Sequence, residues 1–512
     1  MTSRAAHTAD QVIGHTKRAL TLTAAALLAT AALALGQEAP RLTLDEAIEL
    51  ARGNNPTFLT TQNNEAAADW GVRAAMSNLI VPSLTASGFA TYRSPGINRI
   101  GTITTGSVGQ GALYGSQYSL DLNYTLDGNT LFGLSSAKAD RNAAGAFTDA
   151  AEFFMGTQVT LQYMTALRAR DQVEVARRQV ESSIVNLEIA QARVDAQAAI
   201  ITDARQAQVQ LGRDSVALIR AESAQRVGTL GLLETVGVNL GADVELVSQF
   251  EVFRPPWTST ELISIALESH PGLNAVVAGE GARRANLRET RGQYFPTLSL
   301  TGSWGGFTQS IQNGEFNVLS AEAGIARALD NCNTFNDISA GLSSPLTGFP
   351  QNCGTLAITD EDRQGILAQN EAFPFEFTRQ PFRASLFVRF PIFNGFTRER
   401  QVSQAANQLE DAVYARRAEE LRLRTAVTSA LDALTTAFTV VQVEERNRGV
   451  ATEQLELSRQ RYAAGADNFL VLLDAERTMA EGERAYLDSL YGFHVELTNL
   501  ENAVGRQLRP EE

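Results

Sequence analysis

Any chemistry done by this chain would have to be assembled from few parts. Its 512 residues include four histidines and two cysteines, scattered and never grouped at the spacings that a metal site or a Cys–His couple requires. Glycines are frequent between Gly101 and Gly115, with Gly111 and Gly115 four residues apart, but no strand-to-helix context surrounds them, so phosphate cradling is not indicated. Acidic side chains line long helical tracts without a fixed carboxylate pair of the kind hydrolysis uses, and solvated helix faces account for them. Trp70, Trp257 and Trp304 read as packing residues. Trp304, late in a strand, also fits the aromatic belt of a membrane interface. No catalytic residue, metal site or cofactor is expected, and the chain does not read as an enzyme.

The two cysteines, Cys332 and Cys353, matter through the compartment the chain enters. Lys17 and Arg18 precede an apolar stretch from Leu20 to Leu35 that ends in small residues, the order of an export signal. Residues 1–36 are therefore expected to be a signal peptide, cut after Gly36 or Ala34, with an uncleaved anchor as the alternative. No cysteine stands near that point, which excludes a lipid-modified N-terminal cysteine. In an exported protein a disulfide between Cys332 and Cys353 is the expected state, two free thiols being the alternative. Composition adds further limits. At 44% hydrophobic and 20% charged residues the chain is composed like a folded protein. A formal net charge of -14 argues against nucleic acid as a partner, since phosphate binding needs a basic face.

The elements that must position these residues come in two matching series. Thr43-Leu-Asp-Glu46 opens one apolar helical pattern and Thr258-Ser-Thr-Glu261 opens another. Both are capping boxes, in which the Thr hydroxyl and the Glu carboxylate satisfy orphan backbone amides. Each helix then meets Asn55-Pro56 or His270-Pro271, and each half reaches a Pro-x-Leu at Pro82 or Pro296. At the far ends Val236-Gly237 matches Val504-Gly505. The chain is thus expected to be a duplicated unit, residues 41–255 and 256–508.

Within each half the hydrophobic period changes. Thr297 to Trp304 and Gln117 to Tyr124 alternate polar and apolar residues, Phe382 to Ile392 does so with Phe387 out of step, and Ser83 to Tyr92 does so weakly. Four strands of about ten residues are expected, the length a tilted strand needs to cross an outer membrane, with a soluble pair of hairpins burying one face as an equal alternative on alternation alone. Long Pro-free helices follow, over about Asn129–Arg193 and Thr397–Arg461. Val427, Leu431, Leu434, Phe438 and Val441 form a heptad-like seam, and Val173, Ala176, Val180, Ile184 and Leu187 form another. Tracts of this length make rods of roughly 100 Å. After the export signal no stretch approaches 18 uninterrupted apolar residues, so membrane entry would have to be as a β-barrel.

The second half closes with Arg461-Tyr-Ala-Ala-Gly465, then Phe469-Leu-Val-Leu-Leu-Asp474-Ala475 and a final helix. The first half carries a blurred copy, Arg193-Val-Asp-Ala-Gln197 followed by Ile201-Thr202-Asp203. This order of elements, from Leu42 to Gly505, resembles the TolC-like outer-membrane efflux proteins. The resemblance implies a mainly α chain with membrane β-structure. Each subunit contributes four strands, and three subunits close a twelve-stranded barrel continuous with a periplasmic α-helical tunnel. It implies a passive conduit for efflux or type I secretion, coupled through a periplasmic adaptor to an inner-membrane transporter. A long loop, residues 305–380, would face the cell exterior.

It also implies that the two helical turns lie at the periplasmic entrance, where aspartates form rings around the pore. Asp474 is retained, with a helix N-terminal cap or dipole partner as the alternative role, while Val471 stands where a second ring aspartate occurs. Family closing contacts join a Tyr and an Arg of one turn to an Asp of the other. Tyr462 and Asp203 match that pattern and could hydrogen-bond. Asp467 occupies the place of the Arg and is expected to repel Asp203, and Gln197 replaces a glycine. The entrance is thus expected to be held less tightly or by other pairs. A periplasmic adaptor-like coiled-coil protein is the alternative function, and a single-chain porin would need more strands and less helix.

Overall fold

The computed structural model describes residues 41–509, apart from 97, 101–102, 106–110, 240–243 and 249. The expected signal segment lies outside the described residues. Two compact units are present. One takes in the chain up to Asp69 with Ala139–Arg283 and Gln408 onward, and the other Trp70–Lys138 with Arg284–Asn407.

The first unit is helical. Helix α1 (Leu44–Asn54) starts in the capping box of Thr43 and Glu46 and ends at Asn55, where Pro56 opens α2 (Pro56–Ile80). Helices α3 (Gly128–Asp195) and α4 (Ile201–Val236) follow, and α4 stops at Gly237 in the left-handed region. Helix α5 (Ser259–Ser269) repeats the capping box with Thr258 and Glu261 and gives way at His270 to α6 (Pro271–Arg291). The last two helices are α9 (Thr397–Ala463) and α10 (Phe469–Val504), which ends at Gly505, also left-handed. A short parallel pair, β1 (Arg41–Leu42) with β6 (Glu245–Leu246), ties the start of the chain to the end of the first half. Tyr163, fully buried, donates from its hydroxyl to the Leu42 carbonyl at 2.7 Å and so holds this pair on the core.

The α9 seam behaves as its spacing predicts. Val427, Leu434 and Val441 are buried with Phe493, Leu497 and Leu500 of α10, and Leu431 and Phe438 pack against them. An 18-residue window of α9 is apolar enough to cross a membrane by length and composition alone, and this buried seam supplies apolar residues to it. In α3 the expected seam is interrupted. Val173 and Ala176 are buried, but beyond them the interior takes Ser183, Asn186 and Ala190 while Ile184 is exposed. Leu187 still packs against a buried cluster, so polar residues interrupt the apolar seam without turning it to another face.

The second unit is built on an antiparallel sheet. Its order is β2 (Ser83–Arg93), β5 (Leu113–Leu126), β7 (Thr297–Ile311) and β9 (Arg383–Arg389), with the short β8 (Thr378–Arg379) also on β7. A separate hairpin joins β3 (Asn98–Ile100) and β4 (Ile103–Thr105). Register runs through Ser83↔Asn123, Thr301↔Asn123 and Thr297↔Arg389. The polar positions of the alternation share one face. Ser87 and Ser119 hydroxyls lie 2.7 Å apart, and Ser119 and Ser303 donate to the two oxygens of Asp121 at 2.6 and 2.8 Å.

Three differences from the sequence expectation stand out. The strands span 11, 14, 15 and 7 residues, not a uniform ten. Strand β7 continues through Gly305 and Gly306, which had read as the start of a loop. A Cβ at Gly305 would lie 2.9 Å from the Tyr118 carbonyl oxygen, and one at Gly306 would lie 2.7 Å from the Tyr118 ring, so both glycines serve close strand approach. The segment between β7 and β9 is not a plain loop either. It carries α7 (Glu315–Gly341), α8 (Asp360–Glu371) and a disulfide between Cys332 and Cys353, with Cα atoms 5.8 Å apart.

Candidate functional site: two helical turns

The turns that end α3 and α9 close in the same way. Ala198 N–H donates to the Arg193 carbonyl and Gln197 N–H to that of Val194; Ala466 and Gly465 do the same toward Arg461 and Tyr462. Both are Schellman motifs, which place one residue in the left-handed region. That residue is Gly465 in one turn, with φ 80°, and Gln197 in the other, with φ 57°. The helices that follow start unequally. Asn468 caps α10 by accepting from the Val471 amide at 3.2 Å, whereas Ile200, ahead of α4, offers no side-chain acceptor.

Arg193 joins the two turns. Its guanidinium carbon sits 4.3 Å from the centroid of the Tyr462 ring, and its two terminal nitrogens donate to the Tyr462 carbonyl and to the Ala198 carbonyl, the latter at 3.2 Å. Tyr462 is buried with Phe469, Leu472, Ala190 and Ala207, and its ring meets Phe469 edge-on at 5.6 Å. Burial pushes the Tyr462 hydroxyl upward from its usual range, and the Asp203 charge adds to this.

Two expected contacts are corrected. The Tyr462 hydroxyl has no hydrogen-bond partner, so the bond to Asp203 is not formed; the ring is held through its face by Arg193 instead. Asp467 pairs with Arg461 of its own turn, Nε to Oδ2 at 2.9 Å, which gives its charge a partner other than a repulsive one at Asp203. Asp474 is not a cap, since Asn468 holds that position; it lies further along α10, exposed, as Val471 is. Thr202 is exposed and Asp203 half-buried in the first turn of α4.

One group of functional interest carried no sequence signal. Ser182, Ser183 and Asn186 of α3, Gln210 and Asp214 of α4, Arg459 of α9 and Glu476 of α10 meet in the helix interior. A polar residue at one seam position is common enough that only the structure brings these four helices' polar positions together. Among the described residues no cluster of three or more potential metal ligands occurs.

The fold, a helical unit and a sheet of long antiparallel strands, is shared with solved outer membrane channels. The chain matches the Campylobacter jejuni CmeC outer membrane channel with a TM-score of 0.65 at 14% identity, covering 90% of this chain and 85% of that one. It matches the open state of the Neisseria gonorrhoeae MtrE outer membrane channel with a TM-score of 0.63 at 19% identity, covering 90% and 89%. By sequence, residues 362–506 match the outer membrane efflux protein family. Outer membrane protein OprJ of Pseudomonas aeruginosa is 25% identical over 253 residues, which span 49% of this chain and 39% of that protein. These matches show the TolC-like outer-membrane efflux resemblance that the sequence carries. The family matched is one of efflux channels and not a class of enzymes.

Proposed function

We propose that the chain is one subunit of a trimeric duct, a passive conduit running from the outer membrane into the periplasm. In this reading it is engaged by a periplasmic adaptor and, through it, by an inner-membrane transporter for efflux or type I secretion. The observation that carries the proposal is the sheet with two open edges. Strand β2 is exposed along its whole length, and Leu386, Phe387 and Val388 of β9 are between 60% and 69% exposed. In hydrocarbon an unpaired strand edge costs several kcal/mol for each orphan backbone group. Four strands are too few to close around a lumen, so further copies must cover both edges. Three copies would supply twelve strands.

Two long helix pairs, α3 with α4 and α9 with α10, also favour this reading over the adaptor, which would carry one such hairpin. The boundaries of the proposed repeats, 41–255 and 256–508, draw support from paired details. Asn55 bridges the first half, donating to the Thr235 carbonyl and accepting from the Phe58 amide. His270 bridges the second half in the same place, one ring nitrogen on the Asn502 carbonyl and the other accepting from the Gly272 and Leu273 amides. Under this reading the two turns are the entrance, with Asp474 and Asp203 facing the pore and Arg193–Tyr462 as the closing contact. Reconstitution into planar bilayers tests the proposal: discrete conductance steps support a duct, and a silent bilayer with correctly inserted protein refutes it.

A further inference from the structure

We propose that the four-helix polar cluster around Glu476 binds one proton, and that this proton fastens α10 to α3 and α9 beside the helical turns. The cluster brings two acidic side chains together with one arginine. Arg459 donates from Nη2 to the Ser182 hydroxyl at 2.9 Å and from Nε to Asn186 Oδ1 at 3.3 Å. Ser182 in turn donates to Glu476 Oε1 at 3.2 Å. Ser183 donates to Asp214, which also accepts from Gln210 at 3.1 Å. Glu476 is 2% exposed and Asp214 7%. Two buried carboxylates therefore stand in one cluster with a single arginine, which donates to neither of them, and burying an unbalanced charge is costly. A proton on one carboxyl removes the imbalance.

The charged groups facing Glu476 are Arg459 from α9, itself 3.9 Å from Glu456, and Asp214 from α4. Helix α3 faces it with the Ser182 hydroxyl, and Arg178 of that helix is paired with Glu483 of α10 at 2.9 Å. Burial, reinforced by Asp214 and opposed by Ser182 and Arg459, raises Glu476 to about 7 from an ordinary 4.5. Because the packed-state value is the higher one, proton-assisted packing is complete below about 4.5 and is lost as pH rises through about 7. Between those values separation of α10 rises by up to about tenfold per pH unit, then levels off.

The inference does not depend on the duct reading. Its test is hydrogen exchange of the full-length detergent-solubilised protein from pH 5 to pH 8, corrected for intrinsic rates, in peptides covering the start of α10 and the end of α3. Wild-type protection is expected to fall between pH 5 and pH 7, while Glu476→Gln stays protected and flat. Asp214→Asn, which removes the neighbouring charge, is expected to move the fall to lower pH. A wild type without the fall, a Glu476→Gln protein that keeps it, or an Asp214→Asn midpoint that stays put would each overturn the proposal. A protein with the expected profile but no conductance would fail as a duct and keep its proton site.

Discussion

The guanidinium carbon of Arg193 lies over the ring of Tyr462, 4.3 Å from its centroid, and the guanidinium also donates to the Tyr462 backbone carbonyl. A residue from the end of one long helix thereby holds the end of another through both charge and ring face. Such a contact is worth about 1–2 kcal/mol where water is partly excluded. Arg193→Ala is expected to loosen the two turns by about that amount and to raise the open fraction of single-channel records. Tyr462→Phe retains the ring and removes only a buried hydroxyl without a partner. It is expected to be neutral or slightly stabilising, and a large opening effect from it would show that the hydroxyl does the holding.

The two turns differ in what they cost. Gln197 occupies a left-handed position that glycine takes in the other turn, and a side chain there is disfavoured by about 1–2 kcal/mol. Gln197→Gly is expected to raise thermal stability in detergent, and Gly465→Ala to lower it. The opposite signs in one protein separate backbone strain from general loop sensitivity.

Internal correspondence fixes how neighbouring copies should pair. Strand β5 meets β7 with Asn123 opposite Thr301. Asn123 and Arg389 hold matching places, opposite Ser83 and Thr297 respectively, and Thr301 lies as far along β7 as Ser87 lies along β2. Copying that register across the subunit boundary sets Arg389 of one copy opposite Ser87 of the next. Arg389→Cys with Ser87→Cys is expected to give covalent trimers on oxidation, because directly opposed Cβ atoms lie about 4.5–5.5 Å apart. Phe387→Cys with Ser87→Cys, off register, should cross-link far less. Equal yields would reject the register.

The disulfide offers a local test. Reducing Cys332–Cys353 releases a constraint on the segment around α7 worth about 3 kcal/mol for a loop of this size. Limited proteolysis is expected to open that segment first, with the helical unit unchanged. Cleavage in α9 or α10 at the same rate would show the constraint to be global.

Much of this architecture is written in short-range chemistry. The Thr43 and Thr258 capping boxes, the Pro after Asn55 and His270, and the αL glycines at 237 and 505 are local devices, and each sits where its residues place it. The α9 seam was equally plain because its buried positions are apolar. What was not legible depends on distant partners. Gly305 and Gly306 looked like a loop until Tyr118 of the neighbouring strand came against them. Ser183 and Asn186 interrupt the α3 seam because Asp214 and Arg459 meet them from other helices. At the turns the contacts formed differ from the pairing that the sequence suggests. Arg461 claims Asp467 at six residues' distance, and Arg193 claims Tyr462 by its face, a geometry no spacing encodes.

The central claim is that two exposed strand edges are closed by identical copies. Native mass measurement of the protein extracted from the outer membrane in mild detergent tests this most directly. The account requires a mass of three chains that persists on dilution; a chain that runs as a monomer while its sheet stays folded would contradict it.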